Sequence, residues 1–259
     1  MQSVFTRFLI SCTAVVLPVS AVALEQGEPA PVHHAREAPG EFQFVRLAYS
    51  SIRGARFYGR GEAWRTDWPE AEHHFLKGIG RLTRVAVAEQ GRILTPLDDE
   101  IFDFPWLYAV EVGYWHLNDE EAAHLRDYLL RGGFLMIDDF HGAAEWSSFL
   151  ASMQRVFPDR PIVDIPEQDE VFHVIYDLDQ RIQIPSLQYA YTGKTWEKGG
   201  VTPHWRGIYD DDHRLMVAIN HNMDIGDAWE HADWAIYPEN MTALAYRFGI
   251  NYLVYAMTH

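Results

Sequence analysis

A single cysteine, Cys12, stands in 259 residues, inside an apolar stretch near the N-terminus. Past that stretch no thiol remains for a disulfide, a thiolate metal site or a cysteine nucleophile. Positive charge is also scarce: 21 Lys+Arg face 37 Asp+Glu, a formal net charge of -16. No basic run offers a stripe for phosphates, which argues against nucleic acid as a partner. Such a charge keeps a chain soluble and repels anionic surfaces, but it names no substrate. There is no Gly-x-Ser-x-Gly elbow, no P-loop and no dinucleotide fingerprint, so no nucleotide or flavin motif is present. What is there suits one folded domain with a thick core: 48% hydrophobic residues and nine tryptophans.

The N-terminus carries an address. Arg7 precedes the uncharged stretch Phe8 to Leu24, which ends at Glu25. Ala21-Val22-Ala23 has the small-x-small form that signal peptidase accepts, so residues 1–23 are expected to be a cleaved signal peptide. The stretch contains Pro18 and falls short of the roughly 20 residues of a permanent span. Leu9-Ile10-Ser11-Cys12 resembles a lipoprotein box, but the apolar run continues beyond the cysteine. Cleavage removes Arg7 and Cys12 and no acid, leaving 20 basic against 37 acidic residues, a charge of -17. The expected location is the periplasm or the exterior, with no stable membrane span after cleavage. Residues 24–41, rich in Pro, Gly and His, are expected to be a flexible leader to a single domain over 42–259.

Within that domain, Phe42 to Tyr49 is β-branched and aromatic enough for a first strand. Pro69 opens a helix to about Leu82, and Val85-Ala86-Val87 and Pro105 to Val110 read as further strands. Asn118 caps a helix with Glu121 three residues on, and Gly132-Gly133 ends it. Phe134-Leu135-Met136-Ile137 is a continuous apolar run, the pattern of a central strand covered on both faces, and it stops at Asp138-Asp139. A helix from about Ala143 to Phe157 follows. Residues 158–213 are irregular and are expected to be an insertion or lid. Leu215 to Ile219 is another strand. From Pro238 the chain is helical, with Gly249 expected to permit a close approach to the sheet. Helices alternating with apolar strands predict an α/β domain with a mainly parallel sheet.

The run Leu130-Arg131-Gly132-Gly133-Phe134-Leu135-Met136-Ile137-Asp138-Asp139 resembles the signature of the bacterial domain-of-unknown-function family 4159. Arg46-Leu47-Ala48-Tyr49, Phe104-Pro105-Trp106-Leu107-Tyr108 and Gly249 to Tyr255 fit it too, so the resemblance spans about residues 42–258. That family is similar to the class I glutamine amidotransferase-like group and to trehalose-utilisation-type domains. The resemblance implies a flavodoxin-like three-layer α/β sandwich without supplying a reaction. Amidotransferases of this kind need a cysteine on the turn after the central strand. Here that strand runs into Asp138-Asp139-Phe140-His141, so glutamine hydrolysis through a thioester is excluded.

Two polar clusters follow strands. Asp138, Asp139 and His141 could hold a hard divalent cation or work as acid and base, or simply cap the next helix. His221, Asn222, Asp224 and Asp227 form the second, with Trp229 and Glu230 close behind. Gly226 sits one place too early for an EF-hand loop, and the segment could be a turn bonded to its own backbone. Parallel strands deliver their carboxyl ends to one sheet edge, so the two clusters are expected to share a cleft. Lesser candidates are an arginine patch (Arg53, Arg56, Arg60 and Arg65 beside Trp64) and a set of rings (Trp196, His204, Trp205 and Tyr209) that could stack on a sugar. Two functions stay open. One is a binding module for a small carbohydrate-like or envelope-derived molecule, or an envelope component. The other is a periplasmic hydrolase built on Asp138, Asp139 and His141. Protein recovered from the periplasm is expected to begin at Leu24; an intact mass that still includes Met1 to Ala23 would refute cleavage.

Overall fold

The computed structural model describes residues 42–52, 62–179 and 181–259. The expected signal peptide and leader, and Arg53, Arg56 and Arg60 of the arginine patch, lie outside the described residues. Arg65 pairs with Glu62 at 3.3 Å and lies over the Trp64 ring.

The apolar run is strand β4 (Phe134–Asp138), fourth of seven in one sheet. It pairs in parallel with β3 (Trp106–Val110) on one side and β7 (Leu215–His221) on the other. Beyond β3 come β1 (Val45–Leu47) and β2 (Arg92–Leu94), also parallel. Beyond β7, β6 (His204–Tyr209) and the short β5 (Val163–Asp164) close the other edge antiparallel. Alternation along the strands feeds two separate cores. Trp106, Tyr108, Phe134 and Met136 face one; Leu107, Ala109, Leu135 and Ile137 face the other.

Helices cover both faces, giving three layers. The first core is covered by α1 (Glu70–Leu82), α5 (Ile225–Glu230) and α6 (Glu239–Thr258). The second is covered by α2 (Asp119–Leu130) and α3 (Gly142–Val156). The start of α2 is the expected capping box: Asn118 Oδ1 accepts from Glu120 and Glu121 N–H, and Glu121 Oε2 accepts from Asn118 N–H at 2.8 Å. Its end uses Gly132 at φ 112°, open only to glycine without strain. Among the described residues no helix is long and apolar enough to cross a membrane.

Three expectations need correction. Val85-Ala86-Val87 supplies only an isolated bridge, Phe42 to Val87; the strand on that side is Arg92–Leu94. A three-residue edge strand with a charged member carries too little apolar pattern to be read from sequence. Residues 158–213 are not all insertion, because β5 and β6 belong to the sheet. β6 is half-solvated and carries His204, Arg206 and Gly207, which hides its period. The remainder, with the short α4 (Gln188–Thr192), stays irregular.

Gly249 permits a close approach, but to aromatic rings of neighbouring helices rather than to the sheet. A Cβ there would lie 2.5 Å from the Phe75 ring on α1 and 2.6 Å from the Trp229 ring on α5. Those two rings stack at 4.2 Å between centroids and cannot part without disturbing the core. Gly249→Ala is therefore expected to cost about 1–3 kcal/mol by overpacking, read as a lower urea midpoint at unchanged m-value.

Candidate functional site

β3 and β4 pair with Val110 opposite Asp138, so the next residue of each, Glu111 and Asp139, leaves the sheet at the same level. Both turn at once into the left-handed region, with φ 51° and 46°; Asp67, just ahead of α1, does the same at 63°. Non-glycine residues held there cost of order 1–3 kcal/mol each, and such strain clusters at functional sites. β7 delivers Asp224 to the same edge, where its Oδ1 accepts the Asp227 N–H at 2.8 Å and caps α5.

These turns bring acids together. Asp67, Asp139 and Asp224 each offer a carboxylate oxygen within 4.8 Å of the other two, and all three are buried. Burial, and then the neighbouring acids, push the carboxyls of Asp67 and Asp224 well above the usual range. Glu111 is pushed up to about 10, by burial first and by Asp139 next. Two nearby cations, Lys198 and Arg46, pair with other acids. Lys198 Nζ lies 2.7 Å from Glu145 and 3.6 Å from Glu111. Arg46, fully buried on β1, pairs with Glu72 and donates to the Trp64 and Thr66 carbonyls at 3.0 and 2.8 Å. The second of those bonds pins the residue before Asp67. Among the described residues no lysine or arginine comes within ion-pair distance of Asp67, Asp139 or Asp224.

Above the acids lies a cavity of about 650 Å³. One wall holds Glu111, Asp139, Asp224 and Asp227, the floor of the cleft; the other, its roof, comes from the segment 183–202, with Ser186, Gln188, Trp196 and the two lysines Lys194 and Lys198 lining it. The roof is tied down by Gln183 Nε2, which donates to the carbonyls of Gly200 and Asn222 at 2.9 and 2.8 Å. Leu187 N–H donates to Asp227 Oδ2 at 2.6 Å, and Tyr237 OH to the Pro185 carbonyl at 2.6 Å.

The residues singled out from sequence are divided by this geometry. Asp139, Asp224 and Asp227 line the cavity. Asp138 is on the same edge but turned inward and fully enclosed: its Oδ2 accepts from Tyr108 OH, Ile225 N–H and Gly226 N–H at 3.1, 2.9 and 2.8 Å. It fastens the start of α5 to β4. His141 stands behind Asp139, its Nε2 3.0 Å from Asp139 Oδ1. His221 points away, among Phe140, Trp146 and His204. Burial lowers its imidazole to about 4, helped by Arg206, His204 and His141 and opposed by the bond to the Gly142 carbonyl. Asn222 is a latch: its Oδ1 accepts the Gly142 N–H at 2.8 Å and its Nδ2 donates to the Thr202 carbonyl at 2.7 Å.

Trp229 does not line the cleft as expected. It is fully buried because it lies one turn from Ile225 on the core face of α5, and it stacks on Phe75. Glu230 pairs with His231 at 3.2 Å on the rim of a second group that includes Asp227. Of the ring set, Trp196 reaches the cavity, whereas Trp205 stacks on Phe248 and Tyr209 donates to Asp169. Sequence reading missed Asp67, Glu111 and Lys198. Glu111 had a usable signal, since it follows the apolar run Trp106 to Val110 just as Asp139 follows β4. Asp67 and Lys198 sit in loops with no periodicity to mark them.

The model of the family described as "Domain of unknown function (DUF4159)" matches residues 43–257, all but the ends of the folded domain. None of the curated proteins matches the chain.

Asp138 and Asp139 are adjacent in sequence but opposite in role. Asp138→Ala strands two buried N–H groups and is expected to cost at least about 2 kcal/mol, at about 1–3 for each group left without an acceptor. Asp139→Ala removes a cavity-facing acid whose one side-chain bond among the described residues is to His141, and should cost clearly less. Urea titrations of the two variants decide it; equal losses would remove the distinction.

Proposed function

We propose, for a chain that belongs to the DUF4159 family, that the cleft binds a small, hydroxyl-rich molecule, carbohydrate-like or derived from the cell envelope. The protein meets this ligand outside the cytoplasm, after loss of residues 1–23. The observation that carries the reading is the cavity of about 650 Å³, lined by buried carboxylates and by Trp196, one face of whose ring carries Lys194 Nζ at 5.2 Å from the centroid. Its volume falls in the ordinary range for small-molecule sites, about 300–1,000 Å³. Carboxylates accept hydrogen bonds from ligand hydroxyls, Ser186 and Gln188 both donate and accept, and an indole face suits the apolar side of a sugar ring.

The same reading takes the fold as flavodoxin-like and of the class I glutamine amidotransferase-like type. Its support is the order of the parallel strands, β2-β1-β3-β4-β7, which corresponds to the 2-1-3-4-5 order of flavodoxin-like sheets. Asp139, at φ 46° between β4 and α3, stands at the strained strand-to-helix turn where such enzymes carry a nucleophile. A carboxylate there suits binding better than acyl transfer.

Hydrolysis is the second reading. One observation favours it: His141 and Asp139 form an imidazole–carboxylate pair whose acid faces the cavity. A thermal-shift screen over neutral sugars, amino sugars and cell-wall fragments tests both readings. Binding at 100 times Kd should add about 2.7 kcal/mol of stability, and Trp196→Ala should abolish the shift. A hit whose shift survives in Trp196→Ala, or no hit at all, sinks the binding reading. Cleavage of a hit during incubation decides for hydrolysis.

A further inference from the structure

Three oxygens bound to one hard cation, each about 2.3–2.6 Å from it, lie no more than about 5 Å apart. The carboxylates of Asp67, Asp139 and Asp224 meet that condition, each with an oxygen within 4.8 Å of the others. They come from three separated parts of the chain: the loop ahead of α1, the end of β4 and the cap of α5. Nothing in the packing of any one element requires the other two acids to be there.

A second observation, independent of this clustering, concerns Asp67. Its residue is only 9% exposed, yet its Oδ2 is enclosed without a hydrogen-bond partner among the described residues. Buried carboxylates are ordinarily paired, hydrogen-bonded or bound to a metal. Arg46 pairs with Glu72 and two carbonyls, with its Nη2 left over, and Lys198 pairs with Glu145 and Glu111; neither cation comes within ion-pair distance of Asp67. The other two acids are held as metal ligands commonly are, by partners behind them. His141 Nε2 fixes Asp139 Oδ1 at 3.0 Å, and the Asp227 N–H fixes Asp224 Oδ1 at 2.8 Å. Asp139 and Asp224 open on the cavity, so water or ligand hydroxyls can complete a coordination sphere.

We propose that Asp67, Asp139 and Asp224 bind one hard divalent cation, of the calcium, magnesium or manganese class, at the floor of the cleft. An all-carboxylate set with no sulfur and no directly ligating imidazole selects such ions over zinc or copper. The inference rests on the reading of the cleft as a binding site, in which the cation would present its open positions to ligand hydroxyls. The Asp227, Glu230 and His231 group is a different case, because the imidazole there is already paired with both acids.

The test uses the whole folded protein, stripped with a chelator and titrated separately with calcium, magnesium, manganese and zinc chlorides by calorimetry near neutral pH. One hard cation per chain is expected to bind and to raise the melting temperature. Asp67→Asn should weaken binding at least about tenfold, as should Asp139→Asn, and His141→Ala about 10–100-fold through the group behind the ligand. Asp67→Asn should also melt higher than the stripped wild type, since it relieves repulsion among the acids; a merely structural aspartate would give the reverse. No binding of any hard cation, or binding unchanged in Asp67→Asn and Asp139→Asn, overturns the proposal. Cation binding without any hit in the sugar screen upholds the cation site and removes the small-ligand reading. Sugar binding by stripped protein that takes up no cation overturns the cation site and leaves the small-ligand reading standing.

Discussion

Parallel pairing of β4 with its two neighbours is the constraint on which the site depends. Val110 opposite Asp138 and Ile137 opposite Ile219 fix three chain exits at one level of one edge. A slip of one residue would reverse the facing of every side chain in β4. It would carry Phe134 and Met136 into the core now filled by Leu135 and Ile137. The packing of large aromatics on one face and smaller aliphatics on the other therefore sets where Asp139 and Glu111 emerge. Core and site are two readings of one register.

Charge at that edge is compensated unevenly. Arg46 and Glu72 are both buried and pair through Nε and Oε1, and Arg46 Nη1 donates to two backbone carbonyls, while Arg46 Nη2 and Glu72 Oε2 are left without partners among the described residues. Buried pairs of this kind are weak evidence for stability, because desolvation offsets attraction. Their clearer effect here is geometric, since the bond to the Thr66 carbonyl holds Asp67 in its left-handed conformation over the edge. Lys198 acts similarly from the roof, reaching down to Glu145 and Glu111. Among the described residues the three aspartates have no lysine or arginine partner; His141 holds Asp139 and the Asp227 N–H holds Asp224.

The layered α/β architecture was legible because it rests on long, strongly patterned segments. The central run Phe134 to Ile137, the capping box at Asn118 and the helix after Pro238 each carry a signal independent of tertiary context. Arg92–Leu94 and His204–Tyr209 were not legible as strands, since edge strands bury little and show little period. For the site, the strand-end rule found Asp139 and Asp224 but could not see which way a side chain turns. Asp138 and Asp139 are chemically identical in the sequence; only the backbone turn at φ 46° separates an enclosed clamp from a cavity wall. Trp229 was misread because its helix was read as a turn. Asp67 joins the cluster through a loop whose position is set by a buried arginine 21 residues earlier, information no local pattern carries.

Floor and roof of the cavity have different origins. The acids below leave from strand ends and a helix cap, where register and core packing dictate their places. Ser186, Gln188 and Trp196 above belong to a segment without a strand partner, fastened at a few points through Gln183, Leu187 and Lys198. Loops of this kind accept substitution far more readily than the elements that carry them. Charge and selectivity thus reside on separately mutable parts of the chain. Mutations in the roof can retune what the cavity admits, while the electrostatic character of its floor is inherited with the sheet.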